Sequence, residues 1–396
     1  MSDVKEQYEA FPYPARDPKD EARRLISGSP SFPVEMDHHL WGGQRDWSKP
    51  LRALFAGGGT GDGLIQLAQR LVDAGRPYDI TYLDLSATSR GIAEARAKER
   101  GLNGITFRTG SLLDAAEHGP FDYIDCCGVL HHLDDPLTGL RALRRALAQG
   151  GGLGFMVYAP YGRTGVYPLQ DAFNRLYGHL PAKSQLKHAK KTFAAIPKTH
   201  PLHRNPHIGD HRQGDAGFFD LLVHSTDQPF RIDQWISALD ETGWSLCGMT
   251  RPGLYDLSLL TDVPDQMVPS LQMATAEELR GTIKAHVGYA RAREAEQPSQ
   301  ANIEDRVPHL TNVPAQALSQ AVAAGKIPPL QMGQEQINIV IKADCAPLIA
   351  LIDGKRTVSE IGAKSGLEPA KTRRLWSAID AALCPWGSLH YSRVLV

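Results

Sequence analysis

A chain of 396 residues is longer than one hydrophobic core usually serves, so two units, or one enlarged unit with an appendage, are predicted. Its composition, 42% hydrophobic and 22% charged, is that of a globular protein and excludes a disordered, collagenous or coiled-coil chain. Lys and Arg number 43 against 44 Asp and Glu, which leaves no global field to draw the chain onto nucleic acid or an anionic membrane.

Residues 1–10 carry Asp3, Lys5, Glu6 and Glu9 with no apolar core behind them. No stretch reaches the roughly 18 apolar residues of a membrane span. A cytoplasmic protein with neither leader nor span is therefore predicted. Five cysteines (Cys126, Cys127, Cys247, Cys345, Cys384) are an odd number and form no C-x-x-C pair, which fits reduced thiols.

Residues 1–48 are rich in aromatics and prolines, including Tyr8, Phe11, Tyr13, Pro14, Phe32 and Trp41, and read as a segment that packs onto the core as a lid or cap. From Leu51 a strand, a glycine turn and a helix with Leu64, Leu67, Ala68 and Leu71 follow one another. The alternation continues through predicted strands at 80–85, 105–109, 123–127 and 154–158 and helices at 89–100 and 136–148. Such spacing implies right-handed crossovers and a parallel sheet covered on both faces, a doubly wound α/β domain over 49–293. Residues 160–228 break the rhythm and read as an insertion after the fifth strand. A helix at 232–242, a strand at 244–250, a helix at 276–284 and a strand at 286–290 are expected to close the sheet. Polar residues 294–330 read as a linker. Residues 331–396 read as a small helical module, two short helices joined by a Gly-containing turn and then a third helix, as in a helix-turn-helix or winged-helix unit.

The segment Ala56-Gly57-Gly58-Gly59-Thr60-Gly61 lies where the first strand hands over to a helix, the edge at which open α/β sheets bind ligands. Glycines there let the backbone turn tightly and let a ligand approach the main chain. No Gly-Lys-Ser/Thr follows, which excludes a P-loop. Asp84 ends the second strand and places a carboxylate beside the loop, suited to two ribose hydroxyls, although capping of the next helix is an alternative. A dinucleotide and S-adenosylmethionine both remain open on these residues.

Together with Asp84 and the stretch Phe121-Asp122-Tyr123-Ile124-Asp125-Cys126-Cys127-Gly128-Val129-Leu130-His131-His132-Leu133, this loop resembles the motifs of the class I S-adenosylmethionine-dependent methyltransferases. The resemblance runs closely over 50–160 and loosely over 230–290. It implies a Rossmann-like methyltransferase sheet and S-adenosyl-L-methionine as cofactor. The cofactor would be held by Ala56, Gly57, Gly58, Gly59 and Gly61, by Asp84 with Leu85, by Ser111 with Leu112, and by Gly128 with Val129. The chain departs from the family at Ala56, where many members carry an acid, and at Ser111, where an acid often meets the adenine and where Asp114 is the alternative. Segments 6–14 and 37–43 are similar to lid segments in one branch of the family.

In-line methyl transfer depends on positioning, and a general base is needed only when the acceptor must lose a proton. Residues expected over the sheet's carboxyl edge are His131, His132, Tyr158, Tyr161 and His224, with Arg163 and Tyr167 shaping the pocket. Structural roles compete at each: anchoring a loop for the histidine pair, a cap for His224, core packing for the tyrosines. Lys183, Lys187, Lys190 and Lys191 share a helical face that reads as solvated, so nucleic acid is not the expected partner, though a tRNA acceptor stays open. His200, His203, His207 and His211 have ligand-like spacing, but Pro201 and Pro206 interrupt any helix that would align them, and no metal is expected. The sequence around Asp353-Gly354-Lys355-Arg356-Thr357 looks like small winged-helix or peptide-chaperone modules. The predicted activity is methyl transfer to a small molecule. A protein acceptor held by the terminal module and a silent cofactor-binding sensor or scaffold are the alternatives, and a homo-oligomer is left open.

Overall fold

The computed structural model describes residues 8–295, 302–333 and 335–396. Its core is a seven-stranded sheet: β1 Leu51–Ala56, β2 Tyr78–Asp84, β3 Ile105–Thr109, β4 Phe121–Cys127, β5 Leu147–Tyr158, β6 Trp244–Met249 and β7 Ala285–Ala292. The spatial order is β3-β2-β1-β4-β5-β7-β6. β3, β2, β1, β4 and β5 pair in parallel, whereas β7 runs antiparallel to both β5 and β6. This is the doubly wound, Rossmann-like sheet expected from the sequence.

Strand chemistry explains the two-sided burial. In β1, Leu54 points into a core with Ile124, Phe155, Trp235 and Trp244, while its neighbour Phe55 points into the opposite core with Leu67, Tyr82 and Tyr289. Successive side chains face opposite ways, so an uninterrupted apolar strand serves two helical layers. On one face lies the helix Asp62–Asp73, which buries Leu64, Ile65, Leu67, Ala68 and Leu71. Each buried leucine or isoleucine side chain contributes about 1.5–3 kcal/mol of transfer free energy. On the other face lie Pro136–Arg145 and Ile232–Glu241. The connections from β1 lead to β2 on one side and from β3 to β4 on the other, so a crevice opens at the carboxyl ends of β1 and β4.

Several boundaries differ from the sequence reading. The helix expected at 276–284 runs Pro269–Arg280, with proline at its start and Gly281 (φ 64) ending it. The helix expected at 136–148 stops at Arg145, because β5 begins at Leu147. Gly150–Gly152 lie inside this longer strand, where the register against β4 shifts.

The insertion forms its own small core from helices Val166–Tyr177, Ala182–Ala195 and Asp215–Leu222, with Leu169, Phe173, Leu186, Phe218 and Leu222 buried together. Phe11 of the N-terminal segment stacks on Phe219 at 5.0 Å. Lys183, Lys187, Lys190 and Lys191 are exposed on Ala182–Ala195, and Lys190 pairs with Asp215.

The expected linker needs correction. Within 294–330 the chain forms a strand, β8 Pro308–Leu310, and a helix, Ala315–Ala323, both parts of the C-terminal module. β8 pairs antiparallel with the strand Leu389–Tyr391, and Leu318 and Val322 pack with Leu348, Ile361, Trp376 and Ile379. Short apolar stretches in a polar context hid this, so the module's described part begins at 302 rather than 331. Residues 296–301 of that linker lie outside the described residues. Helices Val358–Ser365, held by a Thr357/Glu360 capping box, and Pro369–Leu383 match the expected short helix and final helix. The module docks on the helix Pro33–Trp41, where buried Asp37 accepts from Trp47 Nε1 (2.8 Å), Ser392 Oγ (2.7 Å) and the Arg393 amide (3.1 Å). Among the described residues, no helix is long and apolar enough to cross a membrane.

Candidate functional site

At the end of β1 the backbone enters the left-handed region at Gly57 (φ 76), Gly59 (φ 52) and Gly61 (φ 95) before the helix begins at Asp62. Side chains are also excluded by space: a Cβ on Gly57 would meet Val129 Cγ2 at 2.5 Å, and one on Gly58 would meet the Tyr82 ring at 2.4 Å. The Gly57 amide donates to Leu83 O at 2.7 Å, and the Tyr82 hydroxyl donates to Gly59 O at 2.6 Å, which fixes the loop to β2. Asp84 accepts from the Gly59 amide and the Ser86 amide, each at 2.8 Å. Burial raises its carboxyl above the usual range. Ser86, not Asp84, caps the following helix, so the capping alternative for Asp84 falls away. Each Asp84 oxygen keeps a lone pair for a further donor.

A cavity of about 460 Å³ opens over this loop. Gly57, Gly58, Gly59 and Gly61 line it, as do Asp84, Leu85, Ser111, Leu112, Gly128 and Val129. Ala56 does not: it is buried in the core beneath the loop. Ser111 Oγ accepts from the Leu113 amide at 3.1 Å, and Asp114 is exposed outside the cavity. A carboxylate absent at position 56 stands on the neighbouring strand instead, where Asp125, paired in register with Phe55, lines the cavity and accepts from Ser31 Oγ. Burial pushes its carboxyl up to about 6.

The N-terminal segment roofs the cavity through Tyr8, Tyr13, Pro14 and residues 26–31. Thr60 Oγ1 donates to Pro14 O at 2.8 Å, Arg16 clasps Asp62 at 2.6 Å, and Gln66 Nε2 donates to Ser31 O at 2.9 Å. Beneath, the buried guanidinium of Arg96 joins Glu21 of the roof (2.6 Å) to Asp62 (2.7 Å). Of the two segments resembling lids, 37–43 lies elsewhere, between the sheet and the C-terminal module, because Asp37 and His38 bond residues 391–393. Glu6 and Gln7 of the other segment lie outside the described residues.

The remaining wall is polar and aromatic. Of the five residues expected over the sheet's carboxyl edge, Tyr158 and His132 reach the cavity. His131 and His224 lie one layer behind, His131 with its ring 4.0 Å from that of Tyr158, and His224 stacked at 3.8 Å on His132, the member of the pair that faces the cavity. Tyr161 does not join them: its hydroxyl bonds Glu278 at 3.1 Å on the outer surface. Arg163 lies 3.5 Å over the Tyr158 ring, and Tyr167 flanks it at 5.7 Å. Burial holds His131, His132 and His224 below the ordinary imidazole range, which leaves them neutral at pH 7.

Asp220, which the sequence reading missed, lines this end, accepts from the Tyr8 hydroxyl at 3.3 Å and is pushed up to about 7 by burial. Its signal was an acid inside the apolar run Phe218-Phe219-Asp220-Leu221-Leu222, a pattern that calls for a partnered buried charge. His200, His203, His207 and His211 do not converge as metal ligands among the described residues.

Comparison with known proteins supplies independent findings. A methyltransferase-domain family model matches residues 54–153. An uncharacterised Synechococcus protein is 33% identical over 205 residues, 50% of this chain and 48% of the relative. The tRNA 5-carboxymethoxyuridine methyltransferase of Escherichia coli is 30% identical over 138 residues, 34% of this chain and 51% of that enzyme. The chain thus spans about half the length of these curated relatives. PKMT2 from Rickettsia typhi in complex with AdoHcy superposes with a TM-score of 0.60 at 13% identity over 91% of this chain and 75% of that one, a likeness of fold.

Proposed function

We propose that this chain, which carries a class I S-adenosylmethionine-dependent methyltransferase domain, transfers the methyl group to a small-molecule nucleophile entering between Tyr8, His132, Tyr158 and Asp220. The observation that carries the reading is that the glycine cradle with Asp84 and the polar end with Asp220 belong to one cavity. The cradle fits the cofactor, since its backbone is bare where any Cβ would collide and its carboxylate keeps two lone pairs for ribose hydroxyls. When bound, S-adenosylmethionine supplies an electrophilic methyl carbon on a sulfonium.

The chain's own residues divide the remaining work. Asp84 would hold the ribose hydroxyls, and Leu85, Ser111 and Leu112 would hold the adenine. Asp125, backed by Ser31, would take the amino group in place of an acid at position 56. Gly128 and Val129 would complete the cofactor's cradle. Tyr8 and Tyr13 exclude water from above. Tyr158 and His132 align the acceptor, His131 and His224 hold that wall from behind, and Asp220 accepts a proton at near-neutral pH when the acceptor carries one.

Two other acceptors have specific observations to weigh. A protein side chain held by the C-terminal module is disfavoured because, among the described residues, none beyond Asp220 lines the cavity. A tRNA acceptor draws on the likeness to the E. coli enzyme and on the exposed lysines of Ala182–Ala195. Methyl-labelled S-adenosylmethionine incubated with the purified chain and fractionated metabolites, proteins or tRNA distinguishes them. Label in the metabolite fraction, lost in Asp84→Ala, supports the reading, whereas label confined to tRNA or protein overturns the small-molecule assignment.

A further inference from the structure

His132, which with Tyr158 faces the cavity, also belongs to a cluster reaching behind that wall, whose capacity to bind an ion the methyl-transfer reading leaves unused. His131 and His132 come from the turn after β4, and Asp227 from the segment that leads into Ile232–Glu241. The histidines are 0% and 6% exposed, and the Asp227 side chain is 1% exposed. One ligand atom from each residue lies within 4.8 Å of the other two. Zinc bonds of roughly 2.0–2.2 Å separate neighbouring ligand atoms by about 3.4 Å, so a contraction of at most about 1.4 Å would close the three around one ion.

The hydrogen bonds already set the state such a site requires. His132 Nδ1 lies 2.9 Å from Thr226 O. A carbonyl only accepts, so Nδ1 carries the hydrogen and Nε2 presents its lone pair. One oxygen of Asp227 accepts from Gln170 Nε2 at 3.0 Å and pairs with Arg163 at 3.4 Å, while Oδ1 is buried without a partner. Both ring nitrogens of His131 are likewise buried and unpartnered. A carbonyl behind an imidazole and an amide behind a carboxylate are the outer supports that orient metal ligands. His224 is excluded from the set, because its Nδ1 accepts from the Thr226 amide at 3.1 Å, which leaves Nε2 protonated.

We propose that His131, His132 and Asp227 bind one divalent transition-metal ion of the zinc class, two imidazoles and one carboxylate being a donor set that zinc accepts. The ion ties the turn after β4 to the segment before Ile232–Glu241 and so fixes the ring of His132 in the cavity wall. The inference does not depend on the identity of the methyl acceptor.

The test uses the full chain, stripped with a chelator, freed of any histidine tag and titrated with Zn²⁺ and then Co²⁺. One equivalent should be retained through gel filtration, and X-ray absorption of the zinc-loaded wild type should show a coordination shell with two imidazoles. Asp227→Asn and His131→Ala should each weaken zinc binding at least about tenfold, while His207→Ala leaves it unchanged. Wild-type absorption data need no folded variant, so a variant that fails to fold does not block the test. Absence of stoichiometric binding, a coordination shell without two imidazoles, or binding lost in His207→Ala but kept in Asp227→Asn and His131→Ala would overturn the proposal. The first of these outcomes would assign the buried pair to a hydrogen bond from His131 to Asp227. S-adenosylhomocysteine binding by the same stripped protein tests the methyltransferase reading separately.

Discussion

Replacing Asp84 by Asn preserves the shape of the side chain at the end of β2 and removes its charge. In the native protein the two carboxylate oxygens accept from the Gly59 and Ser86 amides at 2.8 Å each. An asparagine has one acceptor oxygen, so its NH₂ group must face one of those N–H donors and the loop loses a restraint. The ribose hydroxyls lose a charged acceptor as well, and hydrogen bonds to charged groups are worth about 1.5–3 kcal/mol. Discounted for partial exposure of the site, the loss in cofactor affinity is about 2 kcal/mol, close to thirtyfold in Kd at 1.4 kcal/mol per decade. Titration calorimetry with S-adenosylhomocysteine on wild type and Asp84→Asn reads this directly, with thermal melting as the control for folding. A folded variant whose Kd changes less than about threefold would refute the placement of Asp84 on the ribose.

Gly57→Ala should abolish cofactor binding and lower the melting temperature, because a left-handed backbone costs an L-residue about 1–2 kcal/mol and the new methyl meets Val129 at 2.5 Å; differential scanning fluorimetry with and without ligand checks both effects. Arg96→Met should destabilise the fold by about 3 kcal/mol, since it strips the buried Glu21 carboxylate of one partner and leaves Arg16 as the roof's remaining ionic tie to Asp62; urea denaturation and faster proteolysis within 8–31 are the readouts. For Asp220, held at about 7 by burial, kcat/KM should rise with pH and level off above that value, and Asp220→Asn should erase the rising limb in a pH–rate profile. The same group acts on stability with the opposite trend. Its folded value lies above the unfolded one of about 3.9, so the folded chain keeps a proton that the unfolded chain releases between about pH 4 and 7, and stability is lost as pH climbs through that window. Thermal melts across the window should therefore slope less in Asp220→Asn than in wild type.

What was legible in the sequence was local. The glycine loop, Asp84 and the apolar strands declare themselves because tight turns and two-sided burial restrict the residue types that each position accepts. What escaped was set by contacts distant in the chain. Asp220 and Asp125 matter because the fold carries them into one cavity, and neither spacing nor composition records that. His132 rather than His131 faces the cavity because Thr226, 94 residues on, holds its ring. Tyr161 looked equivalent to Tyr158, but the chain turns at 160–163 and delivers its hydroxyl to Glu278. The module's strand Pro308–Leu310 was invisible because three residues make a strand only when Leu389–Tyr391 lies beside them.

The most direct test of the central claim is calorimetric titration of the purified chain with S-adenosylmethionine, S-adenosylhomocysteine and NAD in turn. A Rossmann-like sheet with Asp84 beside the glycine turn should bind the sulfonium and its demethylated product at one site per chain in the micromolar range, and should leave NAD unbound. Binding of NAD with no heat from either sulfur ligand would contradict a methyltransferase and return the glycine loop to a dinucleotide.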